Sequence, residues 1–352
     1  MILNINCPIN KLSYGYASSY LLIALRNLGY DVRHIPIGPN TPDQYLSQVL
    51  AGVLNSTFDY NADCLKIWHQ HSLHSFTGSG KKIGFPIFEL EDFSDQEKHC
   101  IKYCDRIITC SQWGADVIKN NTGMDAGVVP LGYDSSIFKI SAMPDESETT
   151  IFANFGKFEI RKGHDVLIEA FNAAFEKDDS VALIMMPHNP FLTQEETNSW
   201  FKKYTESKLK EKIEIIPRLE SQLHVYNIMK QVHCGVFPSR AEGWNLEALE
   251  LLATGRHLII TDCTGHTEFC NSSNSRLIKL ESGYEQAFDN KFFFGQGRWK
   301  RFSSNEFDQL VEHMREVHQL RLSGQLKTNL CDARKFTWEN SGNALDNFLK
   351  SK

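Results

Sequence analysis

Pro238-Ser239-Arg240-Ala241-Glu242-Gly243-Trp244-Asn245-Leu246-Glu247-Ala248-Leu249-Glu250 reads as the end of a buried strand, a tight glycine-bearing loop and a helix beginning near Asn245. The apolar run at 234–238 supplies the strand, 246–253 the helix, and 257–262 returns as a further strand. Strand, helix and strand in this order form a βαβ unit, which predicts parallel pairing and a ligand-facing loop at the helix entrance. Free backbone N–H groups at such an entrance make a site for a phosphate-like anion. Glu242 sits on the loop and Glu250 more than a turn into the helix, so the two can serve different parts of one ligand. The plain alternative is a pair of surface glutamates at a helix N-terminus, where negative charge is favourable in any case.

The same grammar occurs about eighty residues earlier. Asn154-Phe155-Gly156-Lys157-Phe158-Glu159-Ile160-Arg161-Lys162-Gly163 follows a strand at 150–155 and precedes a helix over 163–175. A glycine turn with three cations at a helix entrance suits a diphosphate whose charge is neutralised without a metal. A solvated basic turn is the competing reading of this stretch on its own. Strands at 181–186 and 212–216, with a polar helix between them, and a helix at 224–230 complete one alternating series.

A second series occupies the first half. Residues 2–6 read as a strand, 7–16 as a loop with Pro8 and Gly15, and 17–28 as a helix with Leu21, Leu22, Leu25 and Leu28 on one stripe. Gly29 ends that helix, and 31–35 resumes as a strand. Strands at 64–69, 82–88, 106–110 and 127–130 follow, with a helix at 112–119. Between the two series, SAMPDESETT at 141–150 has the polar, acidic composition of a linker. The predicted architecture is therefore α/β with two Rossmann-like domains, 1–145 and 146–335, parallel sheets and a cleft between them. A C-terminal helix over 336–352 can pack back on the first domain.

Bulk properties narrow the function. At 352 residues the chain suits two domains, and 41% hydrophobic with 23% charged residues is a globular composition. No apolar run approaches the roughly 20 residues that span a bilayer. Met1 leads directly into a strand, so the expected location is cytoplasmic. Nine scattered cysteines without CxxC pairs read as reduced, buried thiols. A net charge of −6 with interleaved signs disfavours duplex nucleic acid as a partner, and the basic run Arg298-Trp299-Lys300-Arg301 reads as a solvated surface turn.

Taken together, the two glycine loops resemble those of the family-4 retaining glycosyltransferases, which have the GT-B double-Rossmann fold. Gly156-Lys157-x4-Lys162-Gly163 is similar to that family's Gly-Arg-x4-Lys-Gly turn, with Lys in place of Arg. Glu242 to Glu250 is similar to its Glu-x7-Glu segment, with Asn245 for a usual Gly and Glu247 for a usual Pro. Val128-Val129-Pro130-Leu131-Gly132-Tyr133-Asp134 with Phe138 resembles its interdomain stretch, and 108–111 its strand ending in serine. Residues 83–89 resemble a subgroup with Glu, here Glu89, where other members place an active-site His.

The resemblance implies a donor-binding second domain, an acceptor-binding first domain and metal-independent, retaining transfer of a sugar from a nucleotide-diphosphate donor to a hydroxyl. It implies that Lys157 and Lys162 neutralise the diphosphate and that Glu242 contacts the sugar. Glu250 would hold the ribose, and the Asn245 and Leu246 amides, beside Gly243 and Trp244, would cap the distal phosphate. Arg218 falls near the nucleotide base, and Gly15 stands where many members have a Gly-Gly pair. Glu89 is a further catalytic candidate and His71 an acceptor-side one. No cofactor beyond the nucleotide sugar is implied, and a glycan, lipid head group, small metabolite, protein or modified DNA all remain open as acceptor. The sequence gives no sign of oligomeric state.

Some patterns mislead. Gly78-Ser79-Gly80-Lys81-Lys82 lacks the spacing and the Ser or Thr of a phosphate loop. His69, His71 and His74 have no acidic or cysteine partner at a diagnostic distance, so no metal site is expected. Two rival functions share the loops: a nucleotide-sugar epimerase, and a non-catalytic nucleotide-sugar or glycan-binding module. No Gly-x-Gly-x-x-Gly follows a candidate strand, which argues against an NAD dehydrogenase.

Overall fold

In the computed structural model, which describes residues 1–144, 148–331 and 333–351, short apolar strands alternate with helices in two successive series. The first series comprises β1 (Ile2–Cys7), α1 (Ser13–Asn27), β2 (Asp31–Pro36), α2 (Gln44–Leu54), β3 (Cys64–Trp68), β4 (Lys82–Pro86), α3 (Asp95–Lys102), β5 (Arg106–Thr109), α4 (Gln112–Thr122) and β6 (Ala126–Val128). Its sheet has the order β2-β1-β3-β4-β5-β6, parallel throughout. The second series comprises β7 (Thr150–Asn154), α5 (His164–Ala174), β8 (Val181–Met185), α6 (Gln194–Thr205), β9 (Ile213–Ile215), α7 (Gln222–Met229), β10 (Cys234–Phe237), α8 (Leu246–Ala253), β11 (His257–Thr261) and β12 (Arg276–Ile278). Its sheet has the order β12-β11-β10-β7-β8-β9, again parallel.

The strand orders locate the ligand. In the second sheet the order reverses direction between β7 and β10, and in the first between β1 and β3. Loops leaving the carboxyl ends of strands at such a switch point diverge and leave a crevice. The loops after β7 and β10 are 155–163 and 238–245, the two glycine stretches of the sequence. Those after β1 and β3 carry the 8–12 turn and His69–His71.

A single apolar core joins the halves. Ile5, Leu65 and Phe85 of the first sheet belong to the same buried cluster as Phe237, Leu249, Leu258 and Ile260 of the second. The last helix, α10 (Trp338–Lys350), packs on α1: Trp338 stacks on Tyr20 at 5.3 Å, and the Tyr30 hydroxyl donates to Asp346 at 2.6 Å. A second cluster, with Phe152, Phe171, Leu183 and Met314, fills the space between the second sheet, α5 and α9 (Ser304–Leu322).

Three local differences from the sequence reading have physical causes. Helix α1 starts at Ser13, inside the expected 7–16 loop, because Gly15 lets the first turn press on Asn10; a Cβ there would lie 2.2 Å from the Asn10 carbonyl oxygen. Arg298 to Lys300 are not a solvated turn. They end β14 (Phe294–Lys300), which pairs antiparallel with β13 (Tyr284–Phe288), and Trp299 between them is buried with Leu90, Ala241 and Ala287. Helices α2, α3 and α9 and strand β12 lie outside the sequence expectation. The division at 145/146 lies outside the described residues. Among the described residues no helix is long and apolar enough to cross a membrane.

Candidate active site

Gly163 brings the two second-domain loops into contact. It caps α5 with a φ of 77°, and a Cβ would sit 2.1 Å from the Pro238 carbonyl oxygen, so only glycine serves both the turn and the approach. The residues flanking it then meet Glu242. Lys162 Nζ lies 2.8 Å from one Glu242 carboxylate oxygen, which also accepts from Ser239 Oγ at 2.9 Å. Arg161 donates to the other oxygen at 2.9 Å, to the Ala241 carbonyl at 2.7 Å and to Glu159 at 2.8 Å. Lys157 reaches Glu159 at 3.1 Å. From the first domain, Glu89 comes within 3.8 Å of Arg161.

This is a buried ionic cluster, and its protonation follows from its pairing. Burial alone would raise the Glu242 carboxyl, but Lys162 and Arg161 outweigh it and hold it down at about 2. Burial would likewise raise Glu159, and Arg161 and Lys157 keep it below the usual carboxylate range. Lys162 is held above its ordinary value: Glu242 overcomes the desolvation that would deprotonate it. Glu89 goes the other way, raised by burial that the more distant Arg161 does not offset. Three cations thus face two ionised carboxylates of their own domain, leaving positive charge in a water-poor site. Both lysines bond a carboxylate yet keep ammonium donors to spare.

Beside the cluster stands the α8 N-terminus. Asn245 is its cap, with a φ of 80° and an Oδ1 that accepts from the Ala248 amide at 3.2 Å. Leu246 is the first helical residue. Gly243 lies against the first domain, where a Cβ would meet Ile87 at 2.6 Å, and its carbonyl accepts from the Cys110 thiol at 3.0 Å. Trp244 points into the core, packed on Phe269 and Phe336.

Glu250 and Arg218 belong to a neighbouring region. Glu250 is buried and its carboxyl is pushed well above the usual range, first by desolvation and then by Glu247 and Asp134. Asp134 accepts from Tyr20 at 2.9 Å, and Tyr16, which faces Arg218, donates to Asp43 at 3.2 Å. Glu250 therefore faces a wall of first-domain tyrosines and carboxylates. Neither it nor Arg218 contacts the Glu242 cluster among the described residues.

On the first-domain side, His71 is exposed and stacks on His69 at 5.3 Å. His69 is the ring nearer the site: burial, then His71 and Lys157, lower it to about 4, so it is neutral near pH 7. Tyr14 packs on both Trp68 and His69, and its hydroxyl donates to the Ile87 carbonyl, two residues before Glu89. Gly15 lies in the first turn of α1 beside it. Among the described residues no group of three or more His, Cys, Asp or Glu is placed to hold a metal ion. A cavity of about 510 Å³ beside Phe269, Asn271 and Lys335 contains none of these charged groups.

Glu159, which accepts from Arg161 at 2.8 Å, completes the cluster without standing among the expected binding residues, and His69 lies beside Tyr14 on the first-domain side. Arg161 and Glu159 lie inside the quoted glycine turn, and their charge at a helix entrance was the available signal.

Two parallel six-stranded sheets, with a buried charged cluster built from the loops after β7 and β10 of the second and faced by Glu89 of the first, form the GT-B architecture. Residues 149–291, which include both second-domain loops, match the family model of the group 1 glycosyl transferases. Among solved structures, the chain is similar to sucrose-phosphate synthase from Thermosynechococcus elongatus, with a TM-score of 0.71 at 14% identity over 99% of this chain and 98% of that one. It is also similar to a glycosyltransferase from Rickettsia africae, with a TM-score of 0.68 at 15% identity over 100% and 99% of the two chains. HepE of Anabaena, solved with UDP-glucose, superposes with a TM-score of 0.66 at 15% identity over 100% of both chains. No curated protein matches the chain.

Proposed function

We propose that the protein transfers a sugar from a nucleoside-diphosphate donor to a hydroxyl acceptor, with retention of anomeric configuration and without a divalent metal. The observation that carries this reading is the convergence of Lys157, Lys162 and the α8 N-terminus at the switch point of a domain that matches the group 1 glycosyl transferases. In this reading the second domain binds the donor and the first the acceptor. The spare ammonium donors of Lys157 and Lys162 and the Asn245 and Leu246 amides hold the diphosphate. Glu250 holds the ribose hydroxyls, and Arg218 lies toward the base.

Glu242 has a double role in this account. Three of the about four acceptor positions of its carboxylate are filled by Lys162, Arg161 and Ser239, which lock its orientation. The remaining one is offered to a hydroxyl of the transferred sugar. As the bond from C1 to the phosphate oxygen breaks, its electron pair leaves with the diphosphate, where the cations stabilise it. The acceptor oxygen bonds C1 on the same face, and its proton passes to the departing phosphate. Glu89, protonated more readily than an ordinary carboxyl, faces this site from the first domain, 3.8 Å from Arg161.

The test is a turnover screen over nucleotide sugars, beginning with UDP-glucose, which follows nucleoside diphosphate release with and without mixed acceptors. Release that rises with an acceptor supports transfer. Epimerised nucleotide sugar, or binding without release, would replace this reading with one of its rivals.

A further inference from the structure

The β13–β14 hairpin belongs to the second domain by sequence yet grips the first. Its strand β14 runs beside residues 90–92, the continuation of the loop that carries Glu89. The Glu91 amide donates to the Arg298 carbonyl at 3.1 Å, a strand-like bond across the cleft. Arg298 also pairs with Asp92, and the Tyr284 hydroxyl donates to Glu91 at 3.1 Å. Leu90 is buried against Trp299, Ala241 and Ala287, so the residue next to Glu89 is wedged between the hairpin and the Glu242 loop. The hairpin in turn is fixed to the second domain: Glu285 pairs with Arg240 at 3.3 Å, and Arg240 forks onto Asp165 of α5 with bonds of 2.9 and 2.8 Å.

We propose that this hairpin is the positioning element for Glu89: it sets the register between the two domains and holds that carboxyl facing Arg161. The inference rests on the proposed function for its kinetic consequences, but the contact itself is independent of it. Charge is not the main fastener, because Arg298 and Asp92 are both about half exposed and such pairs contribute little. The close approach is. A Cβ at Gly297 would lie 2.8 Å from the Asp92 carbonyl oxygen and 2.9 Å from Leu90 Cδ1, so residue 297 must be glycine for the strand to reach the first domain. Its φ of 71° adds backbone strain to any replacement.

The hairpin supplies its own control. Gly295, on the same strand, has a φ of 94°, and a Cβ there would meet only Gln286 of the hairpin, at 3.7 Å. Gly295→Ala therefore imposes comparable backbone strain without touching the first domain. Hydrogen exchange of the peptide spanning 89–93 is compared in the intact chain, Gly297→Ala and Gly295→Ala. UDP affinity and UDP-glucose turnover are measured beside it. Exchange should quicken at least about tenfold in Gly297→Ala and stay near wild type in Gly295→Ala. Turnover should fall at least roughly fivefold in Gly297→Ala alone, with UDP affinity within about twofold because the diphosphate cations are all in the second domain. In a Glu89→Gln background the same glycine change should cost no further turnover, as expected when one residue acts through the other. Equal exchange in the two glycine variants would overturn the proposal, and so would an undiminished turnover loss in the Glu89→Gln background. A wild-type chain that binds no nucleotide sugar would remove the proposed function instead, and the exchange comparison would still decide whether the hairpin fixes this loop.

Discussion

Replacing Glu242 by Gln probes the centre of the cluster with little change of shape. The carboxyl is held at about 2 against an ordinary 4.5, which corresponds to about 3 kcal/mol of stabilisation at neutral pH. The sign follows from the depressed folded value: the contribution is complete above pH 4.5 and is lost as pH falls toward 2. Gln keeps an acceptor for one cation but turns an N–H₂ toward the other, leaving Lys162 or Arg161 buried without its partner. Urea unfolding at pH 7 should show a loss of about 3 kcal/mol, and melting a drop of roughly 6–12 °C for a domain of this size. Below pH 4.5 the gap to wild type should close by about 1.4 kcal/mol per pH unit. Adding Lys162→Met should recover part of the loss, since it removes the orphaned charge. A variant as stable as wild type at pH 7, or a deficit indifferent to pH, would refute the ion-pair account of Glu242.

Other consequences are open to equally direct tests. Lys162→Ala should weaken UDP binding roughly 10- to 100-fold by calorimetry, the usual range for a charge-assisted phosphate contact. Glu250→Gln should raise the melting temperature at pH 7, because a carboxyl whose folded value is raised destabilises the fold as pH climbs above its unfolded value, and the gain should vanish below about pH 4.5. The same variant should bind donor more weakly, since stability and ribose contact pull in opposite directions. Turnover should survive EDTA, and NMR of fresh product should show the donor's anomeric configuration; metal dependence or inversion would remove the proposed mechanism.

The two second-domain loops were legible because their signals are local: an apolar strand, glycine, charge and an apolar helix within a dozen residues each. Their meeting was not, for it depends on β7 and β10 being neighbours in the sheet, and Arg161 finds Glu242 across 81 positions of sequence. Some missed elements did carry readable marks. The capping box of Ser94 and Glu97 announces α3, and Asp43 with Leu46, Leu50 and Val53 announces α2. The hairpin carried less. Its strands are mostly solvent-facing, so no apolar alternation marks them, and only Trp299 and the glycine at 297 hint that one face is covered. His71 is an acceptor-side candidate from sequence, but its buried neighbour His69 could be placed near a site only once β3 was known to flank the switch point.

The central claim is that a nucleotide sugar binds through its diphosphate at the Lys157–Lys162 loop. Calorimetric titration of wild type, Lys157→Ala and Lys162→Ala with UDP-glucose and related donors tests it most directly. Wild type should bind at least one donor saturably, with affinity unchanged by EDTA and weakened in each lysine variant while both remain folded by melting. Binding of equal strength in all three proteins, or no binding of any donor to wild type, would contradict it.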